Sequence, residues 1–259
     1  DLENNIVFIK MDANALGDNI AWIPYVEEFR KKHKCKVICS TFFNELFIRT
    51  YPEILFVEPN TTIYNIYAQY YIGTHNNPPP IYSPTSYIDN PLQKVACDIL
   101  GLEYNELYTN IYNPFIKPIQ SNKICLSEFS SYEMKNWGGD WQFIVDELVN
   151  RGFEIHVISK EKTNLTNIID KTGNYPLEER IRDLSNSKYF IGNSSGLSWL
   201  AHNIGCHVFL ISDFTPKEHE FSLNTTRIHS SNSRDKIIYE PLKSHMDKHF
   251  VLNKILDSL

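Results

Sequence analysis

The segment Tyr189-Phe190-Ile191-Gly192-Asn193-Ser194-Ser195-Gly196-Leu197-Ser198-Trp199-Leu200-Ala201-His202-Asn203-Ile204-Gly205-Cys206-His207-Val208-Phe209-Leu210-Ile211-Ser212 decides the fold. It passes from an apolar run through small residues into an amphipathic stretch, then over a glycine into a second apolar run. That order parses as strand, loop, helix, strand, which is half of an open α/β sheet. The loop Gly192-Asn193-Ser194-Ser195-Gly196 then lies past the carboxyl end of a strand and at the amino end of a helix. Free backbone N–H groups and the positive end of the helix dipole meet there, which suits a phosphate. Two of the ten glycines fall in these five residues, which argues for a backbone constraint. The spacing is neither the dinucleotide fingerprint nor the Walker loop. A tight strand-to-helix turn with Ser194 or Ser195 as N-cap accounts for the same residues without a ligand.

Outward from this segment the plan extends upstream. Lys123–Ser127 and Phe153–Ile158 read as strands, Trp141–Arg151 and Leu177–Ser185 as helices, and Lys188–Ile191 leads into the motif. The first half has the same order. Ile6–Met11 is a strand, followed by the polar loop Asp12–Asp18 and a helix from about Asn19 to His33 with Ile20, Ile23, Val26 and Phe29 as its apolar stripe. Cys35–Cys39 is a second strand, Phe42–Thr50 a helix and Ile54–Val57 a third strand, an alternation that predicts a parallel sheet. Residues 60–90, rich in Tyr, Pro and Asn, read as a long irregular connection, and Pro91–Leu100 as a helix. Residues 112–122, with Pro114 and Pro118, read as a linker between domains 1–115 and 116–259. The expectation is an α/β chain of two Rossmann-like domains facing across a cleft, with ligands at the carboxyl ends of the strands.

Composition narrows the function. With 42% hydrophobic and 22% charged residues the chain has the makings of a real core, and no apolar run reaches the length of a membrane span. No signal peptide is visible, and the chain starts at Asp1. Peripheral association with a membrane stays compatible with this. The net charge of −6 argues against a nucleic-acid partner. The basic run Arg30-Lys31-Lys32-His33-Lys34 closes a helix, where its charges complement the dipole. Cys35, Cys39, Cys97, Cys125 and Cys206 are odd in number and lack Cys-x-x-Cys spacing, which reads as core thiols in a reducing cytoplasm and no metal site.

Two motifs carry a family resemblance. Leu16-Gly17-Asp18-Asn19-Ile20 resembles the Leu-Gly-Asp motif of bacterial heptosyltransferases. Phe190-Ile191-Gly192-Asn193-Ser194-Ser195-Gly196-Leu197-Ser198-Trp199-Leu200-Ala201 resembles their strand–Gly–small–Gly–Leu–Ser–His/Trp–Leu–Ala segment. With Ala21-Trp22-Ile23-Pro24-Tyr25, the chain looks closest to the autotransporter O-heptosyltransferases, although nothing in it matches their four-cysteine iron finger and it lacks their extra N-terminal sequence. The resemblance implies a GT-B fold, an inverting transfer from a nucleotide-diphosphate sugar to a hydroxyl on a glycan or protein, and neither metal nor cofactor in the transfer.

Residue roles follow from chemistry and resemblance together. Asp18 is the first choice for general base, since inverting transfer needs a carboxylate within reach of the acceptor hydroxyl; Asp12 is its neighbour candidate, and Asn14 and Gly17 share the loop. Lys135 is the counterpart of a lysine that the family sets against the diphosphate, where a cation offsets the charge of the leaving group. Trp137 reads as a cover for the nucleotide base or sugar, or as a core residue that needs no ligand. Trp141, Trp199 and His202 read as helix residues, the tryptophans for packing and the histidine for the surface. Gly192, Asn193, Ser194, Ser195, Gly196 and Leu197 form the diphosphate cradle. Thr215, Glu218 and His219 follow the last strand of the motif and are candidates to touch sugar or base. Two alternatives remain open: a non-catalytic nucleotide-sugar-binding subunit, and a two-Rossmann sugar epimerase.

Overall fold

The computed structural model describes residues 1–11, 13–73, 90–115, 117–215, 219–230 and 246–259. It divides into two compact units, Asp1–Tyr112 with Glu218–Glu220, and Asn113–Lys217 with Phe221–Leu259. Each is mixed α/β around its own parallel sheet.

In the first unit, β1 (Ile6–Met11) leads to α1 (Leu16–His33), β2 (Lys36–Ser40), α2 (Asn44–Phe47), β3 (Ile54–Val57), β4 (Ala68–Ile72) and α3 (Leu92–Leu100). The strand order is β3-β2-β1-β4, all parallel. Helix α1 departs from its expected reading in two ways. It begins at Leu16, ahead of Asn19, so Asp18 falls in its first turn. It is also more than a stripe: Gly17 and every residue from Asn19 to Val26 are buried. Pro24 stands inside this buried helix and has no N–H for the carbonyl of Ile20. The Thr109 hydroxyl donates to that carbonyl instead, so the missing helix bond is replaced from the far end of the unit.

Other long-range bonds close the unit. The Trp22 indole donates to the Leu92 carbonyl (3.0 Å), and the Tyr25 hydroxyl to that of Asn105 (2.7 Å). The Gln93 amide pairs with both backbone groups of Leu107, donating at 2.7 Å and accepting at 3.2 Å. An irregular segment is thereby kept satisfied without a strand. The predicted helix over 42–50 shrinks to the single turn of α2, and β4 lies within the stretch read as irregular. Residues 74–89 of that stretch are outside the described residues.

The second unit comprises β5 (Gln120–Ser127), α4 (Trp141–Val149), β6 (Glu154–Val157), β7 (Ile169–Asp170), α5 (Leu177–Leu184), β8 (Ser187–Asn193), α6 (Gly196–Ile204), β9 (His207–Ile211), β10 (Thr225–Ile228) and α7 (Lys248–Leu256). Its parallel sheet runs β10-β9-β8-β5-β6-β7. Alternation along the strands sorts their side chains to two faces. Ile124, Leu126, Ile155, Val157, Tyr189, Ile191, Phe209 and Ile211 join Trp141, Ile144, Val145 and Leu148 of α4 and Val251, Leu252 and Ile255 of α7 in one apolar cluster. On the opposite face lies Cys125, whose thiol reaches the Asp183 carbonyl on α5 (3.4 Å). The strands β7 and β10 and the helix α7 were not anticipated.

Gly192 explains the glycine signal differently from the loop reading. It lies inside β8, between Ser127 of β5 and Leu210 of β9. A Cβ there would stand 3.0 Å from the Ser127 carbonyl oxygen and 2.8 Å from the Phe190 ring. The constraint is close approach, not backbone dihedral. Gly192→Ala is expected to destabilise the chain by roughly 1–3 kcal/mol through overpacking. Urea unfolding of the variant checks this; an unchanged midpoint would contradict it.

Candidate functional site

In an open α/β sheet, ligands bind at the carboxyl ends of the strands, where the strand order reverses. In the second unit the chain steps from β5 out to β6 and β7, then returns to build β8, β9 and β10 on the other side. The reversal therefore lies between β5 and β8. Two loops leave from that point, one after Ser127 and one after Asn193.

The loop after β8 is shorter than expected. Gly192 and Asn193 belong to the strand and Gly196 already to α6, so Ser194 and Ser195 alone make the turn. Ser195 is the N-cap: its Oγ accepts from the Ser198 N–H (3.3 Å) and lies 3.1 Å from the Ser198 hydroxyl. Ser198 in turn donates to the Asn193 carbonyl. The cap takes up one amide of the first turn. The N–H groups of Gly196 and Leu197 come earlier in that turn and have no partner within the helix. Both residues are half-buried, whereas Ser194 is buried. The end of α6 thus presents amides and the positive end of its dipole at the mouth of the sheet.

Asn193 is buried completely and has a different role from a ligand contact. Its Nδ2 donates to the Glu128 carbonyl (2.8 Å) and its Oδ1 accepts from the Trp137 N–H (2.8 Å). One amide joins the ends of β8 and β5 and sets the course of residues 128–137. Trp137 follows inward. Its ring is 2% exposed, its indole donates to the Met246 carbonyl (3.1 Å), and it meets Trp141 edge-on at 5.0 Å. The ring is part of the core, so a role as a cover stacked on the nucleotide does not fit its position. A Cβ on Gly139 would lie 2.2 Å from this ring, which confines the turn that follows to glycine.

Lys135 closes a single 3-10 turn, Glu133–Lys135, and is half-buried. Its ammonium stands 6.0 Å from the centre of the Phe214 ring, and Tyr132 meets the same ring at 5.5 Å. The loop after β5 and the loop after β9 are therefore neighbours. Thr215, in the latter, is buried, with its hydroxyl 3.2 Å from that of Ser212 and accepting from Arg227 Nη2 (2.8 Å). Arg227 was not singled out from sequence; a lone arginine in a short strand carries no local signal. Glu128 was missed as well. It is 6% exposed, and burial pushes its carboxyl upward while a hydrogen bond with Thr163 works against that.

In the first unit the strand order reverses between β1 and β4. The β1–α1 turn sits there, and Asp18 is half-buried in the opening turn of α1. The N-cap position belongs to Ala15, without a side-chain cap, so Asp18 does not serve as the cap. Asn19 holds the turn: it donates to the carbonyls of Ala13 (2.7 Å) and Ala15 (2.9 Å) and accepts from the Thr41 hydroxyl (2.7 Å). Gly17 is buried and Asn14 exposed. Asp12 and Glu218 lie outside the described residues. His219 is buried in the first unit, and its carbonyl accepts from the N–H of Leu92 (2.8 Å). His202 corrects the surface reading: it is 2% exposed and stacks on Phe221 at 4.0 Å. Trp199 is also buried, edge-on to the same ring. Among the described residues, no group of three or more His, Cys, Asp or Glu side chains could hold a metal ion, and no helix is long and apolar enough to cross a membrane.

No protein-family model matches the chain. Curated relatives do. It is 30% identical over 237 residues to the autotransporter heptosyltransferase BAHTCr of Citrobacter rodentium, covering 85% of this chain and 58% of that protein. It is 32% identical over 235 residues to the autotransporter heptosyltransferase Aah of Escherichia coli, covering 85% and 60%. The chain thus spans about three fifths of the length of these relatives. A further relative, 27% identical over 85% of this chain and 56% of its own, is the inactive autotransporter heptosyltransferase BimC of Burkholderia thailandensis. Among solved structures, the iron-containing dodecameric glycosyltransferase TibC of enterotoxigenic E. coli matches with a TM-score of 0.78 at 27% identity, over 87% of this chain and 63% of that one. TibC in complex with ADP-D-beta-D-heptose matches with a TM-score of 0.81 at 24% identity, over 99% and 74%. The homologues of this chain are autotransporter heptosyltransferases.

Asn193→Ala would strand the Trp137 N–H and the Glu128 carbonyl in a buried place. A loss of roughly 2–4 kcal/mol is expected from two unsatisfied groups. Urea unfolding measures it, and a loss below about 1 kcal/mol would show that the loops hold without the bridge.

Proposed function

We propose that this homologue of the autotransporter heptosyltransferases is an inverting, GT-B-type glycosyltransferase that moves heptose from ADP-heptose to a hydroxyl on a protein or glycan. The observation that carries the reading is the pairing, at the strand reversal of the second unit, of the α6 amino terminus with the Lys135 loop. The first offers two amides without a partner inside the helix and a dipole, the second a positive charge, and a diphosphate needs both. GT-B enzymes divide donor and acceptor between two Rossmann-like units, and the two carboxyl-end sites described above suit that division. TibC, the relative solved with an ADP-heptose, supports the choice of donor.

In this mechanism the second unit holds the donor. Asp18, from the first unit, takes the proton of the acceptor hydroxyl as its oxygen bonds to the anomeric carbon. The bond from that carbon to the diphosphate oxygen breaks at the same time and inverts the centre. The nucleoside diphosphate leaves with the electron pair, its charge met by the N–H groups of Gly196 and Leu197 and by Lys135. We further propose that these groups suffice and that transfer requires no divalent ion. A reducing, cytoplasmic setting is proposed with it, since all five cysteines are free and buried.

A second reading is a nucleotide-sugar-binding subunit without turnover; the inactive relative BimC is the observation that keeps it. The same experiments separate the two. Asp18→Asn keeps shape but cannot take a proton, so turnover should fall roughly 10²–10⁴-fold with ADP affinity nearly unchanged. Ser195→Asp sets a carboxylate against the diphosphate, and ADP affinity should fall by about two orders of magnitude. Calorimetry with ADP and steady-state rates with ADP-heptose on both variants provide the check. Normal transfer by Asp18→Asn removes Asp18 as base. A native chain that binds ADP and transfers nothing to any acceptor supports the binding subunit. Activity should also survive EDTA; its loss with recovery on Mg²⁺ or Mn²⁺ would overturn the metal-free reading.

A further inference from the structure

Arg227 stands on β10, the outermost strand of its sheet, paired in register with Leu210 of β9. Its Nη2 reaches three acceptors of one turn: the Thr215 carbonyl (2.9 Å), the Thr215 hydroxyl (2.8 Å) and the Ser212 carbonyl (3.4 Å). The other flank of that turn is held as well, since the Asp213 carboxylate accepts from the Ser230 N–H (2.6 Å). Between these two ties stands Phe214, half-buried, which meets the Tyr132 ring edge-on and lies 6.0 Å from the Lys135 ammonium. The loop that carries Lys135 is folded on itself by Asn136, whose Oδ1 accepts from the Ser130 N–H (2.7 Å), and is tethered at Trp137 by Asn193. One side of that loop is thus fixed by β8, and the side facing β9 rests on the Phe214 ring.

We propose that Arg227 is a positioning residue for the donor site: by locking the Ser212–Thr215 turn it sets the Phe214 ring, and through that ring the place of Lys135. This rests on the donor-binding reading above. It explains why a guanidinium is used on an edge strand. One amino group of a planar, stiff guanidinium reaches these acceptors in a fixed direction, whereas an ammonium is a point charge that leaves the geometry loose. It also makes Lys135 a cation whose position is set from three strands away, not by its own flexible stem.

The experiment has two arms. In the first, hydrogen exchange is followed in the ligand-free chain and in Arg227→Met. Amides in both 212–215 and 130–136 should exchange roughly tenfold faster, as expected when a local opening becomes easier. Acceleration confined to 212–215 would overturn the proposal, because Arg227 would then serve its own turn alone. In the second arm, Arg227→Met should raise the KM for ADP-heptose and the Kd for ADP roughly tenfold, with kcat changed less than about threefold. Arg227→Lys should recover part of the loss. Phe214→Leu should produce a similar shift, and the double variant should be no worse than either single one, the mark of two residues acting through one contact. Unchanged KM, or additive effects, would overturn the proposal. A wild-type chain that binds no ADP would defeat the donor reading itself; the exchange arm would still decide whether Arg227 positions the Lys135 loop.

Discussion

The second unit depends on one side-chain amide. Where a parallel sheet reverses its strand order, adjacent strands send their loops in opposite directions, and nothing in the ladder keeps those loops together. Asn193 does so by donating to the Glu128 carbonyl and accepting from the Trp137 N–H. An aspartate at that place would lack the donor, and a serine would lack the reach. From this bridge the rest follows in sequence. Trp137 is turned inward to meet Trp141 and the Met246 carbonyl, Gly139 passes across its ring, and Lys135 is left at the rim. A side chain at Gly192 would press on the Ser127 carbonyl and strain the β5–β8 pairing from which the bridge springs.

Much of this architecture is legible in the chain because its signals are local. Strands β1 and β3 were read with their observed limits, and β9, α3, α4 and α5 within a few residues, since apolar runs bounded by turn residues carry their own evidence. The Ser195 cap was one of two readings offered for its loop and is present. The packing roles of Trp141 and Trp199 were also legible.

What stayed hidden is non-local. Strands β7 and β10 are short and acquire their identity from the neighbours that pair with them, not from their own composition. His202 looks like an exposed helix residue until Phe221, beyond the next strand, covers it. Trp137 looks like a stacking residue in a loop because the amide that draws it inward lies in another strand. Arg227, Asn19 and Glu128 belong to the same class, polar groups whose partners are chosen by the fold. The glycine of β8 is a milder case. Its presence was noticed, but its reason is a carbonyl on the adjacent strand and not a turn.

The bond from Thr109 to the Ile20 carbonyl bears on how the chain is made. Pro24 leaves that carbonyl unsatisfied in the middle of a buried helix, and the group that completes it is synthesised almost ninety residues later. Trp22 waits for Leu92 and Tyr25 for Asn105 in the same way. Helix α1 therefore cannot reach its final state on a ribosome until nearly the whole first unit has emerged. Until then part of its apolar surface waits for partners made later, so the first unit closes by contacts distant in sequence, which are slow to form.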